Sequence, residues 1–132
     1  MKIDSIQPPG WPRPSGYSNG IRVSGAGSLL FIAGQVGWDH EERMQEGFEA
    51  QFHQALGNIR AVLEEAGGKP EHLVRVTIYV TDKTAYLAHL VQIGASWREV
   101  LGRVWPAMSL VEVVGLLEPQ ALIEIEATAA LP

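Results

Sequence analysis

Val74-Arg75-Val76-Thr77-Ile78-Tyr79-Val80-Thr81 places an aliphatic side chain at every second position, with Arg75, Thr77, Tyr79 and Thr81 between them. A period of two puts the aliphatic residues on one face of a β-strand and the others on the opposite face. The strand therefore buries one face, and its neighbours in the chain decide what covers it. Upstream, Phe48, Phe52, Leu56, Ile59, Leu63 and Ala66 recur at three- and four-residue spacing, with Glu49, Gln51, Asn58 and Glu65 between them. That is an amphipathic helix of about five turns. Gly67-Gly68 supplies a left-handed C-terminal cap, and Pro70 bars continuation. Downstream, Asp82 or Thr84 can cap a second helix whose apolar stripe is Tyr86, Leu87, Leu90, Val91, Ile93, Trp97 and Leu101.

Working outward, two strands close the chain, Met108–Val113 and Leu122–Ala129, separated by the loop Gly115–Gln120. Toward the N-terminus, Leu29–Val36 is apolar on both sides and reads as a central strand covered twice. Ser18–Val23 is a short strand before it, joined through the turn Ser24-Gly25-Ala26-Gly27. Pro8, Pro9, Pro12 and Pro14 exclude a helix from the first eighteen residues. The resulting order is ββαβαββ, an α+β pattern. The connection from the Val74 strand to the Met108 strand is long enough for a crossover, so some parallel pairing is expected. Two helices cover only one face of such a sheet. Tyr79 and the Leu29–Val36 run favour burial of the other face against another subunit.

Residues 1–132 are expected to form one domain, with about two thirds of the unfolded surface buried. A hydrophobic fraction of 46% and a charged fraction of 19% suit a packed protein. The net charge of −5 comes from interspersed acids, and no Lys/Arg stripe is present to release counterions, which disfavours nucleic acid. The absence of cysteine excludes disulfides, thiolate catalysis and Cys-based zinc sites. Met1-Lys2-Ile3-Asp4-Ser5 shows no secretory h-region, and the apolar run Leu29–Ala33 is far below the ~20 residues of a membrane span. A cytoplasmic location without membrane contact is the expectation.

Most catalytic signals are missing. No two of the four histidines, His40, His53, His72 and His89, stand four residues apart, so no metal is expected. Gly25-Ala26-Gly27 links two strands and reads as a hairpin turn instead of a phosphate cradle. Neither Ser15-Gly16-Tyr17 nor Ser24 sits in a nucleophile elbow. Trp11, Trp38, Trp97 and Trp105 could stack a planar ligand, although Trp97 belongs to an apolar helix face and reads as core.

The acids near the C-terminus carry more. Glu124 and Glu126 project to one face of their strand while Ile123, Ile125 and Ala127 project to the other, and Glu112 repeats the theme between Val111 and Val113. Partial enclosure and a like-charged neighbour raise a carboxyl toward the range of a general acid or base. The plainer reading is a solvated face, or ion pairs with Arg75, Arg60 or Lys69.

Several segments together resemble the RidA/YjgF family of enamine/imine deaminases, also labelled endoribonuclease L-PSP. They are Gly16-Tyr17 after the proline-rich start, Ile32-Ala33-Gly34-Gln35-Val36, and Gln54-Ala55-Leu56-Gly57-Asn58-Ile59 running to Ala66-Gly67. Val76–Asp82, Pro106-Ala107-Met108-Ser109 with Val111-Glu112-Val113, and Ile123-Glu124-Ile125-Glu126-Ala127 continue the match. The resemblance implies a chorismate-mutase-like α+β fold, with a mixed sheet of about six strands and two helices packed on one face. It also implies a homotrimer, with small-molecule clefts between subunits and no cofactor.

By the same resemblance, Glu124 matches the acid that positions or activates water, and Tyr17 matches a pocket tyrosine. Ala33 takes the place of a serine before Gly34-Gln35, and Leu90 falls near an asparagine of some members. Met108, after Ala107, replaces the arginine that grips a substrate carboxylate in the deaminating members. Methionine has neither donor nor charge, and the lost pair is worth about 3 kcal/mol. Deamination of 2-imino acids by the family's usual route is therefore doubtful; Arg103 or Arg22 are the candidates to replace the lost contact. The implied function is a hydrolase or deaminase acting on a less acidic, more apolar substrate. The alternative is a trimeric metabolite-binding protein without turnover, and RNA cleavage is disfavoured by the missing basic groove.

Overall fold

The structure is a computed structural model describing residues 1–132. Strands β1 (Lys2–Ile6) and β2 (Gly20–Ser24) form an antiparallel two-stranded ribbon. Strands β3 (Ser28–Val36), β4 (Leu73–Val80), β5 (Ala107–Glu112) and β6 (Ile123–Leu131) form a mixed sheet in the order β3-β6-β4-β5. Helix α1 (Phe48–Glu65) precedes β4, and α2 (Lys83–Ala88) and α3 (Leu90–Val100) lie between β4 and β5. The expected six-stranded α+β fold is present, with its strands divided between two sheets and a third, short helix added. No helix is long and apolar enough to cross a membrane.

The period-two reading of β6 holds, and that of β4 holds from Val76 onward; at its start the ladder shifts register between Leu73 and Arg75, so Leu73 is buried in the core and Val74 is not. Val76, Ile78 and Val80 of β4, with Ile123, Ile125 and Ala127 of β6, are buried on one face. Phe52, Leu56, Ile59 and Leu63 of α1 and Ile93, Trp97 and Val100 of α3 cover that face. β4 and β5 pair in parallel, as the long crossover between them requires. The cap of α1 is the predicted one. Gly67 takes φ 79°, its N–H donates to the Glu64 carbonyl at 2.9 Å, and the Gly68 N–H donates to the Leu63 carbonyl at 2.8 Å. Gly68 is also a close approach, since a Cβ there would lie 2.6 Å from Leu63 Cδ1.

Four readings need correction. β3 is an edge strand, paired to β6 alone, and not central. Its outer apolar residues, Leu29 and Phe31, face out of the chain, so apolarity on both sides marked an uncovered face here. The glycine-rich turn Ser24–Gly27 is no hairpin, because β2 and β3 belong to different sheets. The strand β1 inside the first eighteen residues has only five residues and no alternation strong enough to announce it. The second helix is two helices. Asp82 caps α2 by accepting from the Thr84 and Ala85 N–H groups, but His89 breaks the helix at φ −117° and ψ 21°. The His89 Nδ1 lies 2.6 Å from the Ala85 carbonyl, which can only accept, so Nδ1 carries the proton. The break rotates Leu87, Leu90 and Val91 into exposure, leaving Ile93, Trp97 and Leu101 of the expected stripe in the core.

Candidate functional site

The strand pairings decide where the candidate residues face. Met108 pairs with Val76, and Val76 with Ala127, so Met108 lies on the helix side of the sheet. Glu124 pairs with Tyr79 and Glu126 with Thr77, which places both acids on the opposite side. Residues 108 and 124 stand two strands apart on opposite faces, so one chain does not bring them into one pocket.

On the helix side, Met108, Leu90 and Tyr17 share the wall of a cavity of about 520 Å³ with Trp105, Arg98 and Arg103. Ser18, a buried polar residue, fastens the Tyr17 loop to the start of β5. Its hydroxyl donates to the Trp105 carbonyl at 2.6 Å, and its N–H donates to the Pro106 carbonyl at 3.0 Å. Leu90 reaches this wall because the His89 break exposes it. Trp97, at the cavity's inner side, commits its indole N–H to the Val104 carbonyl at 2.9 Å and is core, as expected. Arg22 lines no part of this cavity and pairs with Asp4 at 3.1 Å. Arg103 stands in the wall.

On the open side, β3 carries a bulge between Ile32 and Gln35 that leaves Ala33 and Gly34 exposed beside β6. A Cβ on Gly34 would lie 2.8 Å from both Cδ and Oε2 of Glu124. The carboxylate therefore rests against the bare backbone of residue 34, and only glycine admits it there. Gln35 turns back on the strand, its Nε2 donating to the Ala33 carbonyl at 3.1 Å. Ala107 pairs with Arg75 and belongs to this side, away from its neighbour Met108. Glu124 is carried on β6, whose entry is pinned by buried Gln51. That amide donates to the Gln45 and Gln120 carbonyls and accepts from the Leu122 N–H at 2.8 Å. Gln51, a polar position between the apolar residues of α1, is thus a structural anchor.

The remaining acids separate by partner. Glu126 accepts a hydrogen bond from the Tyr79 hydroxyl at 2.8 Å. That bond, then burial and the charges of Glu126 and Glu124, raises the Tyr79 phenol above its ordinary value, and Arg75 opposes the shift. A shallow cavity of about 440 Å³ lies beside them, lined by Phe31, Ala33, Arg75, Thr77, Glu126 and Thr128 among others. Glu112 is a helix cap, accepting from the Lys83 N–H at 2.8 Å at the start of α2. Arg60 is occupied by Glu64 at 2.6 Å, so the expected pairing with the strand acids does not form.

Arg98 was not singled out by sequence reasoning. The signal was available, since Leu90, Gly94 and Arg98 follow one another at four-residue steps along one helix face.

Comparison with known proteins extends over the same residues. The family model described as Endoribonuclease L-PSP matches residues 12–131. A RutC family protein of Pyrococcus abyssi is 36% identical over 121 residues, covering 89% of both chains. A 2-iminobutanoate/2-iminopropanoate deaminase of Salmonella typhimurium is 34% identical over 114 residues, 86% of this chain and 85% of that one. With a RutC family protein of Aquifex aeolicus the identity is 47% over 79 residues, and the match spans 61% of that relative's length. Among solved structures, a conserved Rid family protein of unknown function from Yersinia pestis superposes with a TM-score of 0.86 at 36% identity, covering 99% of this chain and 100% of that one.

Proposed function

The chain belongs to the RidA/YjgF (Endoribonuclease L-PSP) family, and from that premise we propose a deaminase-like small-molecule hydrolase whose ligand clefts form between subunits of a homotrimer. The observation that carries this reading is the split of the candidate site across the two faces of one sheet. A ligand touching both groups takes its Met108, Tyr17 and Leu90 wall from one subunit and its Glu124, Ala33 and Gly34 wall from another. Phe31, with 74% of its surface exposed, and Leu29 beside it support the open face as the surface the subunits share.

In that cleft Glu124 acts as the base. It takes a proton from water as the water oxygen bonds to the carbon of a C=N group, and the nitrogen is protonated. The carbinolamine then collapses to a carbonyl compound and the free amine, so one water is consumed for each C–N bond cleaved. Gly34 keeps the carboxylate within the bulge, and the Tyr17 hydroxyl is a donor at the opposite wall. The Salmonella relative is named for imine deamination. In this chain Met108 offers no charge and no donor to an acidic substrate, which favours a ligand with a larger apolar part. That same feature supports the second reading, a trimer that binds a metabolite without turning it over.

Glu124→Gln separates the two. Under the first reading it removes ammonia release from imines generated in situ, while light scattering still gives about three times the 14.4 kDa chain mass. Unchanged turnover in the variant rules out the role of Glu124, and a monomer rules out the shared cleft.

A further inference from the structure

Two cations in the Met108 cavity have no partner within the chain. The arginine ion pairs of the chain are Arg22 with Asp4, Arg43 with Asp39 and Glu41, and Arg60 with Glu64. Arg98 and Arg103 have none, and no aspartate or glutamate contributes to the wall they share. Their placement has a local cause in each case. Arg103 follows Gly102, which takes φ 81° where α3 ends and swings the chain back toward β5. Arg98 folds along α3 over Gly94, its Nη1 only 3.3 Å from where a Cβ of residue 94 would stand. A side chain there would push the guanidinium off the helix face.

The wall that carries these cations is otherwise largely apolar and aromatic, with Tyr17, Leu90, Trp105 and Met108 in it. Its volume of about 520 Å³ lies within the ~300–1,000 Å³ usual for small-ligand sites. Unpaired guanidiniums beside aromatic faces suit a carboxylate attached to a flat or bulky apolar body.

We propose that Arg98 and Arg103 hold the carboxylate of the ligand, so that the substrate class is an organic monoanion with an aromatic or branched apolar body lying against Leu90, Trp105 and Met108. The anionic anchor is thus moved from strand position 108 to the end of α3 and the turn after it. Methionine at 108 then has a role of its own, since its unbranched thioether fills the space beside the ligand body. This inference rests on the reading that the Met108 cavity is a ligand cleft, and it goes beyond that reading in naming the anchor and the class.

The test uses the full chain and two isosteric probes, phenylacetate and phenylacetamide, with binding followed by titration calorimetry. Phenylacetate is expected to bind about tenfold tighter than the neutral amide. Arg98→Gln and Arg103→Gln each reduce that ratio about threefold, and the double variant brings it to about one while amide binding holds. Both residues are exposed, so the variants keep the fold, and their melting transitions verify it. A ratio near one in the native protein, a ratio unmoved in the double variant, or no saturable binding of either probe overturns the proposal. A trimer showing a ratio of one overturns only the arginine anchor. A monomer showing the tenfold ratio sustains the anchor and overturns only the shared cleft.

Discussion

Phe52 and Phe31 are the same residue type on opposite sides of one sheet, the first fully buried at 0% exposure and the second 74% exposed. On the helix side α1 and α3 close over Val76, Ile78 and Val80 of β4 and Ile123, Ile125 and Ala127 of β6 within the chain. The open side is not finished. It carries a carboxylate seated on a glycine, a tyrosine–glutamate hydrogen bond and two large apolar residues, Leu29 and Phe31, that the chain leaves mostly exposed. Alternation gives a strand two independent faces, so one strand can specify folding with its odd positions and recognition with its even ones. β6 has two such faces, with Ile123, Ile125 and Ala127 buried on one and Glu124 and Glu126 on the other, the side proposed for the ligand.

The largest expected effect tests that division directly. Phe52→Ala is expected to lower stability by about 3–5 kcal/mol, the usual cost of emptying an aromatic site in a core. Phe31→Ala is expected to leave the fold of each chain within about 0.5 kcal/mol. Its effect belongs to assembly, and it should appear as a lower denaturation midpoint only at protein concentrations where the native chain associates. Denaturation across a concentration series, run beside light scattering, reads both. A concentration-independent loss in Phe31→Ala as large as that in Phe52→Ala would erase the distinction between the faces.

A smaller effect sharpens the open face. Gly34→Ala sets a Cβ 2.8 Å from the Glu124 carboxyl carbon, and the atom that yields is the end of a flexible side chain, not backbone. Stability is expected to change by less than about 1 kcal/mol, whereas a carboxylate displaced by about 1 Å loses on the order of a hundredfold in turnover. Full activity in Gly34→Ala would mean that the seat of Glu124 on the β3 bulge does not matter to the chemistry. A fold that fails would mean that the glycine serves β3 instead.

Much of this was legible in the sequence, for reasons that identify the parts that were not. β4, β6 and α1 are set by periods of two and 3.6 against one core, so pattern alone placed them, together with the Gly67 cap and the Asp82 cap. The β3 edge was misplaced because an apolar run reports that a strand is covered, not whether the cover belongs to the same chain. The split of α2 from α3 falls at His89, where the ring reaches the Ala85 carbonyl, a side-chain contact with no periodic signature. The same limit applies to the site. Alternation already set Glu124 on the face of β6 opposite Ile123 and Ile125, yet that Met108 lies on the other side of the sheet followed only from strand register, which residue identity does not give. Arg98 was missed because a lone charge on a helix face has many roles; only the cavity around it, empty of acids, distinguishes it.

The smallest expected effect separates the faces by their tyrosines. Tyr86, on the helix side, has its phenol raised by burial alone, whereas Tyr79 is raised first by its bond to Glu126. For Tyr79 the folded value lies above the ordinary 10.0, so the unfolded chain loses that proton first. Its contribution to stability is complete below the ordinary value and disappears as pH rises through the folded one. Glu126→Gln should therefore bring the Tyr79 ionisation down toward the ordinary value, while Tyr86 keeps its own. Phenolate absorbance during alkaline titration, with Tyr79→Phe and Tyr86→Phe to assign the two phases, measures both. A Tyr79 phase unmoved by Glu126→Gln would make desolvation its cause as well, and the open face would then be as enclosed as the helix side.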